Sequence, residues 1–169
     1  LKADDYFALA SDRYAKRDYQ GAIVASTEVI RLTPNDTAAY YLRGVAKSDL
    51  GDKQAAIQDY NQAIKLNPNF AAAYYLRGFA KANLGYNQAA IQDYNLAINI
   101  DPNFALAYNN RGAAKANLGD KQAAIQDYNQ AIKLNPNLAD TYLNRGVAKS
   151  DLGDKQAAIQ DYNQAIKIN

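Results

Sequence analysis

The chain has 169 residues, and its 19 Lys and Arg against 17 Asp and Glu give a net charge of +2. This balance argues against a dedicated nucleic-acid-binding protein, because binding to the phosphate backbone needs a concentrated basic surface. Cys, His, Met and Trp are absent, which excludes thiol and imidazole catalysis, disulfides and the usual ligands of zinc and haem.

No stretch of the sequence approaches the roughly 18 uninterrupted apolar residues that indicate a membrane-spanning helix, so we expect no membrane insertion. We also expect no cofactor and no metal site. The absence of Cys leaves the cellular compartment open, because it suits reducing and oxidising spaces equally well.

The sequence repeats with a period of 34 residues. All four prolines and eight of the nine glycines obey this period, and the string Ala-Ile-Gln-Asp-Tyr-Asn occurs four times. We predict a single domain of five repeats, a divergent one at 1–34 and then 35–68, 69–102, 103–136 and 137–169. A repeat of this size cannot bury its own apolar face, so the repeats must stack on one another.

Each repeat is predicted to form a hairpin of two helices, which we call helix A and helix B. In repeat 69–102, small and apolar residues from Ala73 to Leu84 have helical spacing, and those from Ala89 to Ile100 follow the pattern of an amphipathic helix. Gly85 between them suits the left-handed position just past a helix. Pro102 ends helix B, because proline lacks the amide donor.

Two further residue types have predicted structural roles. Glycine inside helix A, as at Gly78, costs roughly 1 kcal/mol relative to alanine. We interpret it as a point of close helix approach, with Ala90 and Ala97 equally small on the facing helix. Caps for helix B are expected from the preceding aspartates, Asp52, Asp120 and Asp154.

These features together resemble the tetratricopeptide repeat. In the third repeat the matching residues are Tyr74, Gly78, Leu84-Gly85, Ala90-Ile91, Tyr94, Ala97 and Pro102. The resemblance implies an all-α fold, a right-handed α-solenoid of five helix-turn-helix repeats. The first repeat departs from the pattern, with Ala10 in place of the glycine, and resembles a terminal cap.

The resemblance also implies that helix A lines a concave groove that holds an extended peptide or a partner helix. Carried over by position, the groove residues are Tyr41, Val45, Tyr75, Phe79, Asn83, Asn109, Asn117 and Leu143. Aromatic anchors with few charges are typical of protein-binding hot spots, and the asparagines are expected to bond a partner's backbone. The alternative is that Tyr41 and Tyr75 pack between repeats as core.

The sequence departs from the family pattern where Arg replaces the usual Leu of helix A and Asp replaces the usual aromatic residue of helix B. The pairs are Arg43 with Asp59, Arg77 with Asp93, Arg111 with Asp127, and Arg145 with Asp161, whereas the first repeat has Leu9 and Ala25. An antiparallel hairpin brings these positions level, so we predict structural ion pairs. The alternative is a basic ladder that adds Lys47, Lys81, Lys115 and Lys149.

The function expected from the sequence is a protein-protein interaction scaffold that binds a protein or peptide, and not an enzyme. An active site is normally a unique constellation, whereas the aspartate of helix B recurs four times. The alternative function is self-assembly through end-to-end stacking. The last helix leaves Ile159, Tyr162 and Ile166 uncovered, so we expect either that a homo-oligomer forms through this face or that the parent protein continues with more repeats. The homo-oligomer would be head-to-tail, around Tyr6 and Ala10, or twofold.

Overall fold

The computed structural model describes residues 1–169 and contains ten α-helices and no strand. The helices are α1 Ala3–Ala15, α2 Tyr19–Leu32, α3 Thr37–Asp49, α4 Lys53–Leu66, α5 Ala71–Asn83, α6 Asn87–Ile100, α7 Ala105–Asn117, α8 Lys121–Leu134, α9 Ala139–Asp151 and α10 Lys155–Ile168. Odd-numbered helices are helix A of a repeat and even-numbered ones helix B, which confirms the all-α prediction. None of the ten is both long enough and apolar enough to cross a membrane.

The helices form two compact units, Leu1–Leu84 and Gly85–Asn169. The N-terminal unit contains α1 to α5 and the C-terminal unit contains α6 to α10. Inside each unit, helices that follow one another along the chain pack against each other, from α1 to α5 in the first unit and from α6 to α10 in the second.

The turns between helix A and helix B have the predicted geometry. Four glycines adopt the left-handed conformation with φ between 87° and 100°: Gly51, Gly85, Gly119 and Gly153. The aspartates that follow three of them cap helix B by accepting a hydrogen bond of 3.0 to 3.1 Å from a backbone N–H: Asp52 from Ala55, Asp120 from Ala123 and Asp154 from Ala157. Both predictions for the turn are confirmed.

The glycine inside helix A makes room for the tyrosine ring of helix B. A Cβ atom at Gly112 would lie 2.7 Å from Cε1 of Tyr128 and 3.1 Å from the carbonyl oxygen of Ala124. At Gly146 the corresponding distance to the ring of Tyr162 would be 2.6 Å. The predicted close approach is therefore present: the ring carbons are nearest to the glycine, and the backbone of Ala124, the counterpart of Ala90, is also in contact.

Each later helix A buries two small residues seven positions apart: Ala39 and Ala46, Ala73 and Ala80, Ala107 and Ala114, Thr141 and Ala148. Ala148 of α9 shows what they contact, since it packs with Ala124 and Tyr128 of α8. The first helix has Asp5 and Asp12 at these two positions, and both are exposed. The outward face of α1 is therefore charged where the other A helices are apolar.

A buried carboxylate on helix B joins the two helices of a hairpin. Asp127 is only 5% exposed, and its two oxygens accept hydrogen bonds of 2.7 and 2.9 Å from Nη2 and Nε of Arg111. Nζ of Lys115 lies 2.9 Å from the same carboxylate. The same arrangement holds Asp59 with Arg43 and Lys47, and Asp161 with Arg145 and Lys149. These lysines share the carboxylates and do not form a separate basic ladder.

The pair Arg77 and Asp93 remains a prediction, because its two members lie in different compact units. Among the ion pairs that lie within one unit, Asp161 shows how the neighbouring charges act on the pKa of the carboxylate. Burial acts to raise the pKa of Asp161, but hydrogen bonds from Arg145 and Lys149 outweigh it and hold that pKa below its ordinary value.

The same arginines also reach the preceding repeat. Nη1 of Arg111 donates a hydrogen bond of 2.9 Å to Oδ1 of Asn95, and its guanidinium lies 5.2 Å from the centre of the Tyr108 ring. Equivalent bonds join Arg77 to Asn61 and Arg145 to Asn129. A single arginine such as Arg111 or Arg145 therefore contacts three helices.

The contact between glycine and tyrosine predicts that alanine in place of the helical glycine lowers the stability of the protein. Gly112→Ala should destabilise the protein by about 1–3 kcal/mol, because the added methyl group displaces the Tyr128 ring. In an open helix the same change would stabilise by roughly 1 kcal/mol. Urea unfolding followed by circular dichroism measures the difference, with the exposed Asn117→Ala as the control. A Gly112→Ala protein as stable as the parent would contradict the packing account.

The ion pair predicts strong coupling between its members. Asp127→Ala should lower the free energy of unfolding by about 2–3 kcal/mol, because Arg111 and Lys115 lose a buried counter-ion. Arg111→Leu combined with Asp127→Ala reproduces the residues of the first repeat and should cost less than the single change. Chemical denaturation of the double-mutant cycle checks this, and additive effects would show that the pair contributes nothing.

Candidate functional site

Tyr41, predicted to lie in the groove, is partly buried between repeats of the N-terminal unit. The centre of its ring lies 4.8 Å from that of Phe70, in the loop before α5, and 6.4 Å from that of Tyr60. Burial raises the pKa of the Tyr41 hydroxyl. Tyr41 therefore contributes to packing between repeats, as the alternative interpretation proposed.

The more accessible predicted residues of this unit lie on α3 and α5. Phe79 is 38% exposed, Asn83 is exposed, and Val45 and Tyr75 are half-buried. Nζ of Lys53 lies 5.7 Å from the centre of the Phe79 ring. The result is an apolar surface on α3 and α5 with a cation at its edge.

Lys53 is a residue that the sequence analysis missed. Its ammonium group donates hydrogen bonds of 3.0 and 2.9 Å to the carbonyl oxygen and Oγ of Ser48, which hold it beside Phe79. A signal was present, because lysine recurs at the first position of helix B in Lys53, Lys121 and Lys155. The predicted groove residues all lie on helix A, so this lysine of helix B was not among them.

In the C-terminal unit a cavity of about 200 Å³ lies between α7, α8 and α9. Asn117 and Asn144 line it with amide groups, and Val147 provides an apolar wall. Lys121, also in the lining, is held 3.0 Å from the carboxylate of Asp151. The predicted residue Asn117 is thus accessible and has further polar groups near it.

Asn109, by contrast, is only 8% exposed. Its amide nitrogen donates a hydrogen bond of 3.0 Å to Oδ1 of Asn110, and its amide oxygen accepts one of 3.2 Å from Asn144. Asn110 belongs to the same helix α7, and Asn144 belongs to the following helix A, so both ends of the Asn109 amide are already bonded. Asn109 therefore serves contacts within the C-terminal unit, and we leave it out of the binding surface.

Leu143 is 48% exposed but does not line the cavity that contains Asn117. It borders a second cavity with Tyr162, Ala165 and Ile166, at the surface of α10. The predicted groove residues of this unit are therefore not all brought together.

The buried ion pairs offer no reaction site. Their carboxylates at Asp59, Asp127 and Asp161 are 3% to 5% exposed, and each has both oxygens bonded to cations of its own hairpin. No group of His, Cys, Asp and Glu side chains in residues 1–169 is arranged to hold a metal ion.

Structural comparison places the chain among known repeat proteins. A crystal structure of a MamA protein is 26% identical, with 98% of this chain and 91% of that chain covered and a TM-score of 0.87. MamA from Desulfovibrio magneticus RS-1 is 22% identical, with coverage of 98% and 94% and a TM-score of 0.90. YrrB, described as a TPR protein with an unusual peptide-binding site, is 20% identical, with coverage of 97% and 84% and a TM-score of 0.78. At these lower identities the last two show the α-solenoid fold alone.

Sequence comparison identifies the family directly. A TPR repeat model matches residues 47–85 and 84–119, and a tetratricopeptide repeat model matches residues 105–138 and 139–169. Curated proteins provide no significant match. Since the matched segments together extend from residue 47 to residue 169, the chain belongs to the tetratricopeptide repeat family.

Proposed function

We propose that this protein is an interaction scaffold whose helix A surface binds a segment of a partner polypeptide. Membership of the tetratricopeptide repeat family supports the general role, and no enzyme family is indicated by the comparisons. The observation that carries the finer proposal is the exposed ring of Phe79, one helical turn after Tyr75 on α5.

The binding surface of the N-terminal unit consists of Val45, Tyr75 and Phe79, with Asn83 at one end. The helices that carry them, α3 and α5, contact each other directly. Large rings of this kind bury much area for little loss of side-chain entropy. Lys53 at the edge favours a partner segment in which an acidic residue follows an apolar anchor, because opposite charges guide the two surfaces together.

The C-terminal unit offers a surface of different chemistry. Asn117 and Asn144 present amide groups at the cavity beside Val147. Amides both donate and accept hydrogen bonds, so they suit the backbone of an extended segment. We propose this cavity as a second contact region for a partner polypeptide.

The proposal predicts a loss of binding when the two rings are truncated. A peptide selected from a displayed library against the protein should bind Tyr75→Ala/Phe79→Ala about 30-fold more weakly, equivalent to about 2 kcal/mol, because both rings act as anchors. Isothermal titration calorimetry measures the affinity, and circular dichroism should show nearly unchanged helicity.

Tyr86→Ala is the matched control, since Tyr86 is 54% exposed and lies outside helix A. It should bind the peptide as the parent does. If the double variant instead melts far earlier while binding persists, the two rings belong to the core and the assignment of the surface is wrong.

A second candidate function is self-assembly, favoured by exposed apolar side chains on α10. Ile159 and Ile166 are 55% and 72% exposed, and a cavity of about 380 Å³ lies beside Leu143 and Tyr162. In α8 the equivalent tyrosine, Tyr128, is 2% exposed and packs against Ala148 of α9. Exposed apolar surface of this kind tends to find a partner.

Of the two modes of assembly, the twofold one fits the charges better. A head-to-tail contact would bring α10 against α1, where Asp5 and Asp12 replace the buried Ala39 and Ala46 of α3. Burying carboxylates without counter-ions is costly. We therefore propose that two copies meet through their α10 faces about a twofold axis.

The second candidate predicts association that depends on one apolar residue. Sedimentation velocity from micromolar to millimolar protein should show a monomer–dimer equilibrium, and Ile166→Lys should abolish it because a charge replaces the most exposed apolar side chain of the face. Leu96→Lys, a change at an exposed apolar residue of α6, should leave it intact. A strictly monomeric parent at the highest concentration would refute the candidate.

A further inference from the structure

The first hairpin contains a cavity of about 380 Å³ between α1 and α2. Its lining residues occupy the positions that hold the ion pair in later hairpins, with Leu9 in place of Arg43 and Ala25 in place of Asp59. An arginine and an aspartate are thus replaced by shorter apolar residues, and part of their space is left open. Tyr6, which also lines the cavity, is kept at the position of the later tyrosines.

The retained tyrosine is informative because of what its counterparts do. In the later hairpins a guanidinium lies 5.2 to 5.6 Å from the centre of the corresponding ring, as Arg43 does over Tyr40 and Arg111 over Tyr108. A cation over an aromatic face is favoured by the ring's charge distribution. The first hairpin therefore keeps the ring but has lost the cation that covers it.

One wall of the cavity is built by an ion pair at the hairpin turn. Nη1 of Arg13 lies 2.8 Å from Oδ2 of Asp18, whose other oxygen accepts a hydrogen bond of 2.9 Å from the backbone of Gly21. A Cβ atom at Gly21 would lie 2.2 Å from Oδ2 of Asp18. Glycine here, where later repeats have alanine, lets the carboxylate lie over the start of α2 and hold Arg13 at the cavity.

The cavity combines an apolar floor with a rim of paired charges. Leu9, Val24 and Ala25 supply the apolar lining, and Val24 is 58% exposed. Among its charged lining groups, Asp18 is paired with Arg13, and Glu28 is paired with Arg31. Nε of Arg31 donates a hydrogen bond of 2.9 Å to Glu28, and this bond uses only one of the two carboxylate oxygens of Glu28.

We propose that this cavity binds an arginine side chain of a partner protein. The arginine would take, from another molecule, the place that Arg43, Arg111 and Arg145 fill within their own hairpins. Its methylene stem packs on Leu9 and Val24, since arginine buries its stem while its head stays polar. Its guanidinium stacks over Tyr6 and bonds the oxygen of Glu28 that Arg31 does not use.

This site lies on α1 and α2 and shares no residue with the proposed binding surface of α3 and α5. Its test is an NMR titration with acetyl-arginine methylamide, compared with acetyl-norleucine methylamide, which has a similar stem and no charge. The arginine compound should shift the methyl signals of Leu9 and Val24 and bind at least tenfold more tightly than the norleucine compound.

The chain supplies a matched variant that closes the site. Leu9→Arg/Ala25→Asp restores the residues of the later hairpins, fills the cavity and should weaken binding of the arginine compound at least tenfold. Tyr75→Ala/Phe79→Ala should bind it as the parent does, so a failure of this site and a failure of the proposed helix A surface are distinguished.

Three results would overturn the proposal. They are equal or tighter binding of the norleucine compound, unchanged binding by Leu9→Arg/Ala25→Asp, and no shift at Leu9 or Val24 with either compound. If the double variant does not fold, Tyr6→Leu and Glu28→Gln replace it. Each should weaken arginine binding severalfold without affecting the norleucine compound, and unchanged arginine binding in both would equally overturn the proposal.

Discussion

A carboxylate buried between helix A and helix B is the interaction on which these hairpins depend. Each of Asp59, Asp127 and Asp161 accepts two parallel bonds from an arginine and a third contact from a lysine. A buried charge is tolerated only when it is paired and hydrogen-bonded in this way. The two parallel bonds from a planar guanidinium also fix the distance and register of the helices, which apolar packing alone does less strictly.

The first hairpin shows what the molecule does without this interaction. Both members of the pair are apolar there, as Leu9 and Ala25, and a cavity stands in their place. The same hairpin carries Asp5 and Asp12 on the face that later repeats bury. These departures occur together, so the first repeat differs from the others in both its interior and its outward surface.

The fold could be predicted because its determinants are local and repeated. Proline at the end of helix B, the left-handed glycine and the capping aspartate each act within a few residues. The candidate site was harder, because burial depends on what a neighbouring element places over a residue. Tyr41 is covered by Phe70 from a loop, and Asn109 is bonded by Asn144 from the next helix A. The cavity of the first hairpin is space left by absent side chains, which no local pattern describes.

The arginine of helix A bonds one residue before it and one residue after it at the same separation in sequence. Arg111 bonds Asn95 sixteen residues before it and Asp127 sixteen residues after it, and Arg145 does the same with Asn129 and Asp161. Duplication or deletion of one whole repeat after the first would preserve such bonds at the new junction without a compensating substitution, because these repeats share the arginine, asparagine and aspartate. An insertion of any other length would leave a half-buried guanidinium without its partners. The array is thus free to change length over evolution, but only in whole repeats.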